Sequence, residues 1–555
     1  MVAEIVRGSV LVAFCALGAA QGLKPQTPVI LISVDTLRAD HLDVFGYRRV
    51  PTPNFDSFAE GGTLFLEADA QIPLTLPSHT SLFTSTFPFE NRIEENAERV
   101  PSGVPTLAGV LRPHGYKTAA FIGSVFLERQ MGLDQGFEDY DSPFHFEAFS
   151  PLSGSMFFGG LTRGPNAGRD RRDGALVVRA AEQWLAAHRG EPVFAFVHLY
   201  DLHKPYRRGS YDAEVAYTDR VLGTFRRFLE QSGWWERSLV VLLSDHGEGL
   251  GEHGESSHGY FIYESTLHVP LVFHWPAGTT GYPARVSQPA GLIDVAPTIL
   301  ECLHIQAPAS FEGVNALGPP HAIYAETVHT HDSFGWAPLR SLRLGDYKYI
   351  EAPRAELYRL STDPGERLNL AAQKASDARK LRGELAQLMA RHTAAKGTEP
   401  ASDVSPQTRA LLGSLGYLAR GPRTKIAGPQ PDPKDRLAEY QLYEKAMTEV
   451  YDGHLAQAVA TLRSVLAQDP QNTLARRDLG ACYLELRDDA KARSAFEKVL
   501  EAAPDDYMGQ YELGVADEHL GLLQESLKHL ETACGIAPDA TQCRTELEVV
   551  RQKMK

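Results

Sequence analysis

The sequence predicts an α/β protein, with a mainly parallel central sheet flanked by helices, a small antiparallel sheet after it, and an all-α repeat module at the C-terminal end. Three observations carry this prediction. First, Pro28-Val-Ile-Leu-Ile-Ser-Val-Asp35, Val193-Phe-Ala-Phe-Val-His198 and Leu239-Val-Val-Leu-Leu-Ser-Asp245 are continuous apolar runs, and amphipathic stretches alternate with them up to about residue 390. Such runs suit strands buried on both faces. Second, from Arg340 the texture shifts to short strands and turns (340–350, 356–360, 363–367), which predicts antiparallel pairing over about 338–372. Third, Pro470, Pro504 and Pro538 recur 34 residues apart, as do Gly480 and Gly514.

Each segment follows from its composition. Residues 9–20 are apolar and small, too short to span a bilayer but suited to the apolar stretch of a signal peptide, with Gly18 and Ala20 before a cut. Arg7 supports this reading and Glu4 opposes it; Cys15 follows Phe14, so a lipoprotein cut is not expected. Residues 1–20 are therefore expected to be a signal peptide and the protein to be exported, periplasmic or extracellular. No other segment approaches the ~20 apolar residues of a membrane span, so none is expected. A catalytic domain is expected over 26–390. A linker rich in Pro, Gly, Ser and Thr follows over 393–433, interrupted by a helical piece at 408–418.

Over 434–555, Ala458, Ala492 and Ser526, and Leu462, Phe496 and Leu530, share the 34-residue register. This period resembles the tetratricopeptide repeat. Two repeats are expected at 473–506 and 507–540, a degenerate one before them from about Gln441, and a cap helix over 541–555. Stacked helix pairs make a concave surface, so a protein or peptide partner is expected there; buttressing of the neighbouring domain is the plainer alternative.

Composition limits the function. With 55 Lys plus Arg against 70 Asp plus Glu in 555 residues, the formal charge is −15, which argues against nucleic acid as a partner. The five cysteines (15, 302, 482, 534, 543) have no CxxC spacing and predict neither a disulfide scaffold nor a cysteine zinc site. Any metal must be held by oxygen and histidine.

The densest chemistry lies in Ser244-Asp-His-Gly-Glu-Gly-Leu-Gly-Glu-His253. Here Asp245 and His246 follow a buried strand and can turn to one cation in a glycine-rich loop. Asp35 ends another such strand and can supply an opposing ligand, because sites in doubly wound sheets gather at the carboxyl ends of strands. In Thr75-Leu-Pro-Ser-His79, Pro77 at a helix start predicts Thr75 just before the first turn, beside free N–H groups. A hydroxyl touching a divalent cation ionises more readily. Thr75 is therefore a candidate metal-activated nucleophile and metal ligand; an N-cap is its bland alternative.

Taken in order, Val34-Asp-Thr-Leu-Arg-Ala-Asp-His41, Thr75-Leu-Pro-Ser-His79, His198-Leu-Tyr-Asp-Leu-His203, the Ser244–His253 segment and Ile293-Asp-Val-Ala-Pro-Thr-Ile299 resemble the sulfatase family of the alkaline phosphatase superfamily over residues 26–390. The resemblance implies an alkaline-phosphatase-like sheet and a divalent metal on Asp35, Asp245 and His246. It also implies hydrolysis or transfer of an anionic sulfate or phosphate ester through a covalent intermediate on Thr75. By the same resemblance His258 is a general acid for the leaving group, and His203 and His79 contact the oxygens of the transferred group. His198 and His253 are read equally well as structural. A second metal site of Asp201, His203 and His258 is a further alternative.

Two departures from the family pattern matter. Family sulfatases carry a Cys or Ser that becomes formylglycine, whose second hydroxyl discharges sulfate; Thr75 cannot become that aldehyde. The Arg of that motif is His79 here, and a Gly-Lys-Trp-His element reads Gly123-Ser-Val-Phe126. A threonine nucleophile is similar to that of the phosphoethanolamine and glycerol-phosphate transferases of the superfamily, which carry membrane helices that this sequence does not predict. The expectation is a metal-dependent hydrolase or transferase favouring phosphate mono- or diesters, with a sulfatase as the alternative. The imidazole ligand favours zinc or manganese, with calcium possible. A repeat-based scaffold or receptor without activity is the reading from another class; retention of all three metal ligands argues against it.

Overall fold

The computed structural model describes residues 23–96, 98–144, 171–393, 429–536 and 541–555. The expected signal peptide, the 408–418 helix and the pocket loop at 150–170 lie outside them. Among the described residues no helix is long and apolar enough to cross a membrane.

The main sheet has nine strands: β1 Val29–Val34, β2 Thr63–Asp69, β3 Lys117–Phe121, β4 Asp139–Asp141, β5 Val193–Leu199, β6 Leu239–Leu243, β7 His268–His274, β8 Arg285–Val286 and β9 Ala290–Gly291. Their order is β4-β3-β5-β1-β6-β7-β2-β8, with β9 also on β2. Strands β4, β3, β5, β1 and β6 run parallel, and β7 runs antiparallel to both neighbours. The three apolar runs are thus the adjacent central strands β5, β1 and β6.

Alternation along β1 feeds two cores, as the two-residue period of a strand requires. Val29 and Leu31 join Phe194, Phe196, Val241 and Leu243 on one face; Ile30, Ile32 and Val34 join Ala195, Val197 and Leu242 on the other. The first face is covered by α1 (Thr75–Thr84), the second by α2 (Gly174–Ala187) and α3 (Tyr211–Gln231), and α4 (Val295–Cys302) adds Val295, Ile299 and Leu300 to the first. Because Leu31 is wholly buried in the central strand, Leu31→Ala should destabilise the catalytic domain by about 2–5 kcal/mol. Its denaturant midpoint, compared with that of the parent chain, checks this.

The small sheet is antiparallel as expected but begins earlier. Its strands are β10 Ile323–Thr327, β11 Leu339–Leu344, β12 Tyr347–Glu351 and β13 Glu356–Arg359, so it starts at 323 and not near 338. The helix His329–Phe334 separates β10 from its partner, and that interruption hid the pairing. Leu381, Leu385 and Leu388 of α5 (Ala375–Thr393) pack on Tyr324, Leu342 and Leu357. Buried ion pairs tie the two sheets, with Arg343 on Asp69 at 2.9 Å and Lys348 on Glu264 at 2.7 Å.

The C-terminal part is three helix pairs and a last helix: α6 Leu437–Tyr451, α7 Leu455–Gln468, α8 Thr473–Glu485, α9 Asp489–Ala502, α10 Tyr507–His519, α11 Leu523–Ile536 and α12 Thr541–Lys553. Ala458, Ala492 and Ser526, and Leu462, Phe496 and Leu530, are fully buried. A Cβ at Gly480 would lie 2.8 Å from Phe496, and one at Gly514 would lie 2.7 Å from Leu530, so the 34-residue glycines permit close helix contact. The first repeat begins at Leu437, four residues before the expected position. Cys534 and Cys543 form a disulfide between α11 and α12; only the helical hairpin brings residues nine apart together, which spacing alone did not reveal. The first repeat helix packs on the catalytic domain: Tyr440 lies 3.8 Å from Tyr260 between ring centroids, and Gln441 Nε2 donates to Gly254 O at 3.1 Å.

Candidate active site

Parallel pairing of β5, β1 and β6 puts Asp35, residues 198–203 and Asp245-His246 at one edge of the sheet. The chain turns sharply after β1, with Thr36 at φ 56°. Thr36 N donates to Asp245 Oδ1 at 3.2 Å and Leu37 N to Ser244 Oγ at 2.9 Å, locking the β1 and β6 ends together. Helix α1 is pinned to the same edge, since Ser78 Oγ donates to Asp245 O at 2.7 Å and Leu76 N to Asn96 Oδ1 at 2.9 Å. Thr75 is the first residue of α1, with Leu74 as N-cap. This corrects the expectation that Thr75 precedes the first turn: Pro77 occupies the third helical position, still free of the need for an N–H partner. Thr75 is no N-cap; its Oγ1 donates to Asp35 Oδ2 at 3.2 Å.

Asp35, Asp245 and His246 are fully buried, and their ligand atoms lie within 4.8 Å of one another. Asp35 Oδ1, Asp245 Oδ2 and His246 Nε2 have no hydrogen-bond partner. Burial lifts the Asp35 carboxyl to about 6, and burial with Asp35 beside it raises Asp245. Two buried carboxylates and an imidazole left unsatisfied are costly alone and suited to a divalent cation. The residues present therefore fit the metal that the family resemblance implies.

The histidines divide into two groups. His258 and His203 line the same side, with ring centroids 5.1 Å apart, and His258 lies 4.5 Å from His246. His258 Nδ1 is held by Glu248 Oε1 at 3.0 Å, leaving its Nε2 for a ligand, and His203 Nδ1 is held by Lys204 O at 2.6 Å. His79 departs from expectation, because its Nδ1 meets Thr75 O at 2.8 Å and its Nε2 meets Ser33 Oγ at 2.9 Å. With both nitrogens engaged inside the protein, it braces α1 and has no free nitrogen for the transferred group. His253 is structural, stacked on Tyr263 and bonded to Gly365 O. Asp201 accepts from Gly174 N at 3.0 Å, and among the described residues no metal-capable group forms from Asp201, His203 and His258.

One residue left open by the sequence, His198, and one it missed, Glu248, lie beside the candidate site. His198 has both ring nitrogens buried without a partner, lies 3.5 Å from Asp35 Oδ2, and groups with His79 and Asp245; the last residues of β5 carried the signal. Glu248 is fully buried and faces His258. Its signal was a carboxylate between glycines three residues after Asp245. A Cβ at Gly249 would sit 2.4 Å from Ser257 O, so only glycine there lets the loop fold back and bring His258 onto Glu248.

The sulfatase family model matches residues 27–305, and tetratricopeptide repeat models match 450–512 and 490–541. Among curated proteins, the chain is 23% identical over 441 residues to a delta 4,5-hexuronate-2-O-sulfatase of Bacteroides thetaiotaomicron, covering 64% of this chain and 86% of that protein. It is 22% identical over 409 residues to human arylsulfatase K, covering 59% and 76%. Among solved structures, the phosphonate monoester hydrolase of Agrobacterium radiobacter superposes with a TM-score of 0.53 at 20% identity, over 66% of this chain and 96% of that one. A protein in complex with its substrate D-glucosamine-2-N,6-O-disulfate gives 0.54 at 18%, over 67% and 99%. At these identities the structures establish likeness of fold.

Proposed function

The chain belongs to the sulfatase family, and from that premise we propose that it is a metal-dependent hydrolase or transferase of phosphate esters with Thr75 as nucleophile. The observation that carries this is the Thr75 hydroxyl, bonded to Asp35 at the start of a helix beside three unsatisfied ligand atoms. A divalent cation on Asp35, Asp245 and His246 supplies a Lewis acid that favours the ionised hydroxyl; the imidazole favours zinc or manganese. Thr75 Oγ1 attacks phosphorus in line, forming a threonyl ester as the bond to the leaving alcohol breaks. His258, with Nδ1–H held by Glu248, gives its Nε2 proton to the leaving oxygen. His203, beside His258, is the proposed contact for the equatorial oxygens. Water or an acceptor alcohol then displaces Thr75 from phosphorus.

Phosphorus is favoured because a threonyl ester lacks the second hydroxyl by which formylglycine discharges sulfate. The sulfate reading has its own support in the curated relatives, which are named as sulfatases. Rates on p-nitrophenyl phosphate, bis-p-nitrophenyl phosphate and p-nitrophenyl sulfate separate the two, and turnover of the sulfate alone would overturn the preference for phosphorus. Glu248→Gln should lower kcat by about 10²-fold on an alkyl phosphate and much less on a p-nitrophenyl ester, whose leaving group needs no proton. An equal loss on both would remove His258 from the acid role.

Export is the compartment that suits residues 9–20 and the Cys534–Cys543 disulfide, which persists under oxidising conditions. The repeat module is the proposed seat of a protein or peptide partner.

A further inference from the structure

Helix α6 reaches the rim of the active site. Tyr440 packs against Tyr260, two residues from His258, with the rings tilted at 45°, and Tyr443 packs on Phe334 with centroids 5.5 Å apart. Glu444 lies one turn after Tyr440 and so shares its face. Its carboxyl interacts electrostatically with Lys204, Glu248 and His329, and Glu248 is the residue that holds His258. Lys204 follows His203 directly, its Nζ 5.9 Å from the Tyr206 ring. Both Lys204 and Glu444 are partly buried, and among the described residues neither side chain has a hydrogen bond or an ion pair within 4 Å. An acid from the repeats and a base from the catalytic domain thus lie near enough to attract each other without forming an ion pair.

We propose that the repeat module supplies part of the substrate site: Lys204 and Glu444 receive the alcohol portion of the ester, a neutral polyhydroxylated, sugar-like group. A vicinal diol offers acceptors to Lys204 Nζ and donors to the Glu444 carboxylate, satisfying both charges as no aryl or alkyl group can. A polyanionic chain suits the rim poorly, since Glu248 and Glu255 stand near Glu444. This inference rests on the ester-hydrolase reading for the identity of the neighbouring site, and its test is arranged so that the two can fail separately.

In the full chain carrying Thr75→Ala, binding of glucose 6-phosphate and of p-nitrophenyl phosphate is measured by calorimetry, alone and with Glu444→Ala, Glu444→Gln or Lys204→Ala added. Glu444→Ala and Lys204→Ala should each weaken the sugar ester about tenfold more than the aryl ester, with Glu444→Gln intermediate and unfolding midpoints unchanged. Equal weakening of both esters, an unchanged Kd for the sugar ester, or no sugar-ester binding by the Thr75→Ala chain overturns the subsite. These readouts need no turnover, so an inactive parent chain would defeat the catalytic reading while the subsite is still scored.

Discussion

Thr75→Ala removes turnover, by about 10³-fold or more, while leaving the unfolding midpoint and bound metal close to those of the parent. The expectation follows from geometry: Thr75 sits at the first position of α1 with its hydroxyl on Asp35, and its methyl and backbone contacts survive in part in alanine. Thr75→Ser keeps the hydroxyl and should retain measurable activity, which separates loss of the nucleophile from disturbance of the helix. A covalent phosphoryl label found on Thr75 after an acid quench of the parent, and absent from the alanine variant, would identify the intermediate. Rates unchanged in Thr75→Ala would end the mechanism.

Removing the divalent cation should be the second large effect, on stability as well as rate. A ligand at about a thousand times its Kd contributes on the order of 4 kcal/mol to the folded state, and here its loss also leaves Asp35 and Asp245 as neighbouring buried acids. Chelation should therefore lower the Tm by several degrees and abolish activity, with both restored by zinc or manganese. Asp245→Asn should lose the metal by elemental analysis and make the Tm insensitive to chelator, because the variant has no cation to give up and less repulsion to relieve. A parent chain whose Tm and rate ignore chelation would show that the cluster holds no functional ion.

Much of the architecture was readable because it rests on local periodicity. The runs at β1, β5 and β6 are apolar at every position, a pattern produced by burial on both faces. The 34-residue recurrence of Gly480 and Gly514 records a helix contact repeated at each turn of the module. The small sheet was read short at its N-terminal edge, because β10 finds its partner only across an intervening helix. The site was legible in part for the same kind of reason. Asp35 and Asp245-His246 stand at strand ends where the chain must leave the sheet, so their residue types and places both pointed to a cation.

What sequence could not convey is which way a side chain turns once it is there. His79 and His203 look alike as histidines beside motif residues, yet packing of α1 on β1 consumes both nitrogens of His79 in bonds to Thr75 and Ser33, whereas the His203 ring lies beside His258 at 5.1 Å between centroids. Glu248 came onto His258 only when the 249–257 loop folded back on it, and Glu444 is brought near Glu248 only by α6 resting against Tyr260. By itself, then, the sequence determined the family, the sheet and the repeat, and pointed to the residues that form a candidate metal group, since these depend on residue type at short range. Tertiary structure alone decided which histidine nitrogens are consumed within the protein and that the first repeat helix packs on Tyr260 and Gly254, because those depend on contacts between segments up to hundreds of residues apart.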